Sequence, residues 1–140
     1  MTSTTTRSSK RLQHILLADG VTSGVTGLGL VVIPGRIAAL IGAPSAALVA
    51  GIGAGLVLFG AALLRHATRS APGRGTTILI AALNLTWVAA SAVVLVTGGL
   101  STLGNWAVIL VGIVVLGFAT LELWHLPTRR GGGALDAARA

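Results

Sequence analysis

One stretch of this chain could do chemistry: Leu17-Ala18-Asp19-Gly20-Val21-Thr22-Ser23-Gly24-Val25-Thr26-Gly27, with Asp19 the only acid among residues 1–121. An acid inside an apolar run is costly. A charged side chain at the centre of a bilayer costs about 2.5–3.5 kcal/mol on insertion scales, so it must face other protein groups. Thr22, Ser23 and Thr26 follow Asp19 at the i+3, i+4 and i+7 positions of one helix face. Asn84 is followed at the same offsets by Trp87, Val88 and Ser91, and a second acid, Glu122, lies further on. Three chemistries are open to Asp19, Thr22, Ser23, Asn84, Trp87 and Glu122. They can act as interhelical glue, at about 1 kcal/mol or less for each bond. They can bind a proton, a cation or a polar head group. Asp19 beside a lateral opening could also act as a base on a lipid or quinone. Arg65 and His125 are the candidate ion-pair partners of the two acids.

Other chemistries are excluded or unsupported. The chain has no cysteine, which removes thiol redox chemistry, disulfides and thiolate metal sites. His14, His66 and His125 have no tight ligand spacing, so no metal site is expected. No nucleophile elbow, phosphate-cradling loop or His-Asp signature appears. Gly24, Gly27 and Gly29 fall within a helical stretch, which is not a dinucleotide turn. No catalytic residue and no cofactor is assigned, and the chain reads as non-enzymatic.

The elements that must position this cluster follow from composition. Of 140 residues 54% are hydrophobic and 9% charged, against about 25% charged in a soluble domain. So much apolar surface cannot be hidden in a fold of this size. The expected class is an all-α membrane protein with four transmembrane helices, at about residues 12–33, 44–64, 76–97 and 103–126. Each is long enough at about 1.5 Å per residue to cross a hydrocarbon core of about 30 Å. The first run is too long for a signal-peptide core and no convincing cleavage site follows it. Residues 1–11 read as a disordered basic tail and residues 127–140 as a flexible one. Within 34–43, Ile37–Ile41 can form a short interfacial helical turn, and Ser101 or Thr102 suits the N-cap of the last helix.

Charge orients the bundle. Nine of the ten basic residues lie in the N-terminal tail (Arg7, Lys10, Arg11), the second connection (Arg65, Arg69, Arg74) or the C-terminal tail (Arg129, Arg130, Arg139). Only Arg36 lies on the other side. By the positive-inside rule both termini are cytoplasmic. The net charge of +7 therefore flanks apolar spans, which excludes a nucleic-acid partner. It favours anionic membrane lipids at the basic loops. Asp19 then lies about 10 Å, and Asn84 about 12 Å, from the start of its helix, at similar depth in the cytoplasmic half.

An internal duplication is also expected. GLVLFGAALLR at 55–65 aligns with GIVVLGFATLE at 112–122, pairing Gly55 with Gly112, Gly60 with Gly117 and Arg65 with Glu122. The first helix laid on the third puts Asp19 on Asn84, giving two helical hairpins related by a pseudo-two-fold axis. Gly20-x-x-x-Gly24, Ser23-x-x-x-Gly27 and Gly51-x-x-x-Gly55 offer small faces for close helix packing, within the chain or in a homo-oligomer. Trp106 and Trp124 fall at opposite interfaces as belt anchors. Trp87, near mid-membrane, is core filling or the wall of a pocket.

At Leu17-Ala18-Asp19-Gly20-x-x-Ser23-Gly24-x-x-Gly27, Leu83-Asn84-Leu85-x-Trp87-Val88-x-x-Ser91 and Leu121-Glu122-Leu123, the chain resembles a family of small, uncharacterised bacterial integral membrane proteins. More loosely it is similar to the DoxX-like group. The resemblance implies four helices in a bacterial inner membrane and no particular activity. Three functions are weighed. The leading one is an accessory or interaction subunit meeting another membrane protein or itself. The alternative is a small carrier or channel using Asp19, Asn84 and Glu122. The third is a lipid- or quinone-handling enzyme.

Overall fold

The computed structural model describes residues 3–68 and 73–126, with side chains from Lys10 onward, and all of its regular structure is helical. The elements are α1 (Ser3–Val32), α2 (Pro34–Ile41), α3 (Ala46–Ala67), α4 (Arg74–Thr97) and α5 (Thr102–Trp124). Four helices are long and apolar enough to cross a membrane: Lys10–Val32, Ala46–Ala67, Arg74–Thr97 and Thr102–Trp124. The helical backbone of α1 reaches back to Ser3, through most of the segment expected as a disordered tail. Adding a turn to an existing helix avoids the nucleation cost. The expected C-terminal tail, 127–140, lies outside the described residues, as does Arg69.

Local sequence sets the breaks. Pro34 disfavours helical backbone at Ile33, which adopts φ −130°, ψ 49°, and then opens α2 at its first position. Gly42 ends α2 in the left-handed conformation, φ 73°, which a side chain would strain. Ser45 caps α3 by accepting from the Leu48 N–H (3.1 Å), and Ser101 caps α5 by accepting from the Gly104 N–H (3.1 Å).

α1 and α3 run antiparallel in the tightest pairing of the fold, through glycines seven residues apart on each helix. A Cβ on Gly27 would lie 2.6 Å from the Gly53 carbonyl oxygen, and one on Gly60 2.6 Å from that of Gly20. The small face of α3 is thus Gly53 and Gly60. Gly51 and Gly55, expected as a packing pair, have no neighbour within 4 Å of a built Cβ. A spacing of seven keeps the same face inward over two turns in a left-handed crossing, which a spacing of four does not. α4 packs on α5, and α1 joins the two pairs by touching α5. Among the described residues α3 and α4 do not approach one another. They share a buried cluster at the end carrying the N-terminal segment, where Ile80 of α4 joins Leu12, Leu16, Leu63 and Ala67.

The far end is tied differently. The Ser101 N–H donates to the Ile41 carbonyl (2.9 Å) and its hydroxyl donates to the Leu40 carbonyl (2.9 Å). The connection between α4 and α5 thus satisfies the C-terminal carbonyls of α2, which helix geometry leaves without partners. Gly104 lies so close that a Cβ would overlap the Ile41 carbonyl. Outward faces are apolar, as at Leu58, Val32 and Val96, while Asp19, Thr77 and Glu122 are among the largest fully buried side chains. That inversion suits a lipid surround, where exposed aliphatic groups cost nothing and polar groups must turn inward.

Candidate functional site

Three helices bring their polar residues to one point. Asp19 sits on α1, and its helix neighbour Ser23, one turn on, donates its hydroxyl to Asp19 Oδ1 (3.1 Å). Asn84 of α4 donates through Nδ2 to Asp19 Oδ2 (2.9 Å) and to Glu122 Oε2 of α5 (3.3 Å). One amide therefore bridges two acids from two other helices. Asp19 is 1% exposed, Asn84 4% and Glu122 0%. The amide is oriented by this network, since its oxygen could not face two carboxylates.

The donors of Ser23 and Asn84 are all used, and one carboxylate oxygen is not. Both Asn84 N–H groups and the Ser23 O–H point at carboxylate oxygens, yet Glu122 Oε1 is buried with no hydrogen-bond partner. The expected cationic partners are not brought to the acids. Arg65 is exposed near the end of α3, where a long side chain can reach polar surroundings. His125 turns its Nδ1 back to the Leu121 carbonyl (2.9 Å). His14 meets the Lys10 carbonyl in the same way (2.7 Å). Among the described residues no group of three His, Asp or Glu side chains gathers as a metal site would require.

Beside this cluster lies a cavity of about 550 Å³, lined by all four long helices. Asp19, Ser23 and Asn84 form its polar floor, and Phe59, Trp87 and Phe118 contribute aromatic wall. On α1 its lining runs from Asp19 to Thr26, about 10 Å along the helix. Thr22 lines it too, and Trp87 is half-buried in its wall. Glu122 lies behind the floor, reached through Asn84. A space of this size suits a drug-sized molecule, for which apolar walls with a few convergent polar groups are the usual pocket chemistry.

The sequence singles out Asp19, Ser23 and Asn84 and offers Trp87 as the wall of a pocket, but it gives neither the size of the space nor its other aromatic walls. Phe59 and Phe118 carry no sequence signal beyond hydrophobicity, because a cavity depends on how far α3 and α4 stand apart. The Ser101 tie to α2 was also missed, although a serine capping one helix was visible.

Compared with protein-family models, with curated proteins and with solved structures, the chain matches none.

Proposed function

We propose that this is a small membrane carrier that holds a hydrophobic, polar-headed molecule between its two hairpins, with Asp19, Asn84 and Glu122 reading the head. The observation that carries this reading is the cavity of about 550 Å³ ending on a buried acid–amide cluster. Glue alone needs the cluster but no space beside it. The separation of α3 from α4 offers a side entrance from the bilayer. An accessory subunit would leave the cavity without a purpose. A lipid or quinone enzyme would need a free base, and both Asp19 oxygens already accept hydrogen bonds.

The same reading places the protein in a bacterial inner membrane with both termini cytoplasmic, its basic end against anionic lipids, in line with the resemblance to small bacterial membrane proteins. It takes the two hairpins as an ancient duplication. They have since diverged: Gly60 is packed against α1, whereas a Cβ on its counterpart Gly117 has no neighbour within 4 Å.

Native mass spectrometry of protein extracted from its own membrane tests the proposal. The expected result is a small-molecule adduct on the unmodified protein. The adduct is lost in Gly55→Trp, which fills the cavity, and kept in Leu58→Trp, which adds the same ring to an outward face. An adduct that survives Gly55→Trp overturns the proposal. A stoichiometric second polypeptide with no small molecule does so too, in favour of an accessory subunit.

A further inference from the structure

We propose that the molecule held in the cavity is a hydrophobic amine bound as its ammonium ion, with Asp19 as its counter-charge and Glu122 as a second acid behind it, joined through Asn84; this rests on the carrier reading above. The argument is a balance of donors, acceptors and charge. The floor holds one carboxyl group and one amide, a second carboxyl lies behind it, and neither Arg65 nor His125 is brought to the acids. Its three polar hydrogens from Ser23 and Asn84 are all committed to carboxylate oxygens. One buried oxygen, Glu122 Oε1, has no partner. An incoming carbonyl, as in a quinone or an ester, can accept from the Thr22 or Thr26 hydroxyls that also line the cavity, but it brings no positive charge to the acids. An ammonium brings up to three donors and the missing positive charge.

The surroundings fit the rest of such a molecule. The cavity walls are apolar, with Phe59, Trp87 and Phe118 among them, and aromatic faces attract a desolvated cation as well as an apolar body. Burying two acids without a cation is unfavourable, so in the absence of ligand protons must neutralise the pair; one ammonium takes the place of one proton, and the other acid keeps its own. A phospholipid amine would carry its phosphate to the same acids. The site therefore favours an amine without a neighbouring anion.

The test uses the full chain in lipid nanodiscs with Trp106→Phe and Trp124→Phe, two exposed positions. Trp87 is then the single tryptophan and reports on the cavity. The probes are 4-(1-naphthyl)butylamine and its alcohol, identical in shape except for the terminal group. The amine is expected to change Trp87 fluorescence saturably and to bind about tenfold or more tighter than the alcohol, the value of one charge-assisted over one neutral hydrogen bond. Asp19→Asn with Glu122→Gln should remove that preference, so that the two probes bind equally. Equal binding of amine and alcohol to the unmodified site, both expelled by Gly55→Trp, would overturn the amine assignment and leave the carrier reading standing. Binding of neither probe would sink both. The comparison of probes on acid-intact protein needs no acid variant to fold. Circular dichroism of the double variant shows whether its own result counts.

Discussion

Replacing Asn84 with alanine removes a side chain that joins α1, α4 and α5, and its hydrogen bonds set the size of the loss. Two hydrogen bonds disappear, at 2.9 Å to Asp19 and 3.3 Å to Glu122. The first has ordinary length, whereas the second lies beyond the usual 2.7–3.2 Å range and counts for less. Hydrogen bonds to charged groups contribute about 1.5–3 kcal/mol in water-soluble folds. Interhelical bonds in bilayers average about 0.6 and reach about 1.7 kcal/mol, because the separated helices find other partners. One bond near the upper membrane value and one weak bond predict a loss of about 2 kcal/mol, roughly a 30-fold shift in the unfolding equilibrium.

The assay is a double-mutant cycle by reversible unfolding in mixed micelles. Asn84→Ala is compared in the natural background and in Asp19→Asn/Glu122→Gln. With both acids replaced by amides, Asn84 retains only neutral partners and its removal should cost about 0.6 kcal/mol. The coupling should therefore exceed 1 kcal/mol, well outside the roughly 0.3–0.5 kcal/mol scatter of additive changes. Equal costs in the two backgrounds would show that Asn84 contributes packing alone, and the bridge would lose its energetic meaning.

The α1–α3 seam predicts that Gly60→Ala costs about 1–3 kcal/mol through overpacking, since its Cβ would sit 2.6 Å from backbone. Gly51→Ala, with open space at that point, should stay within about 0.5 kcal/mol; thermal unfolding in detergent compares them. Ser101→Ala removes both the cap of α5 and the hydroxyl bond to Leu40, at a cost of about 1 kcal/mol. Hydrogen exchange should then quicken at the Gly104 amide, and unchanged exchange would count against the cap. Because the chain lacks cysteine, Thr102→Cys and Thr76→Cys report sidedness directly. In intact cells a membrane-impermeant thiol reagent should label the first and spare the second, and the reverse pattern would invert the topology.

Much of this was legible because membrane sequences expose their constraints. Spans read at 44–64 and 103–126 fall on Ala46–Ala67 and Thr102–Trp124, since long apolar runs broken by Pro34, Gly42 and the pair Gly98-Gly99 leave little choice. Asp19 with Ser23 one turn on was visible as a polar face, and a buried acid must find company. The choice of company was less visible. Arg65 and His125 look like natural partners by charge, but Arg65 is exposed and His125 bonds the carbonyl one turn back. The seven-residue glycine seam of α3 was not visible because a four-residue spacing is conspicuous and a seven-residue one is not. A pocket wall at Trp87 could be suspected, but the size and lining of the cavity were beyond reach, since they depend on the distance between two helices that, among the described residues, do not approach one another.

Glu122 separates a bundle that is only held together from one that also reads a ligand. For glue, an acid at this position is a poor choice. Its Oε2 accepts one long bond from Asn84, its Oε1 has no partner, and Asp19 lies on the same amide. A glutamine there could still accept from Asn84 and would supply two N–H donors to the neighbouring carboxylate, without adding a second acidic group. Glu122→Gln is therefore expected to leave the fold as stable as before or to raise its stability by up to about 1 kcal/mol, measured by unfolding in mixed micelles. The same change removes the second acid, which acts on an ammonium head through Asn84 and Asp19, and should weaken naphthylbutylamine binding roughly tenfold. Lower stability with undiminished amine binding would mean that Glu122 serves the fold and not a ligand. A stable protein with weakened binding would mean that an otherwise costly acid is kept for its charge.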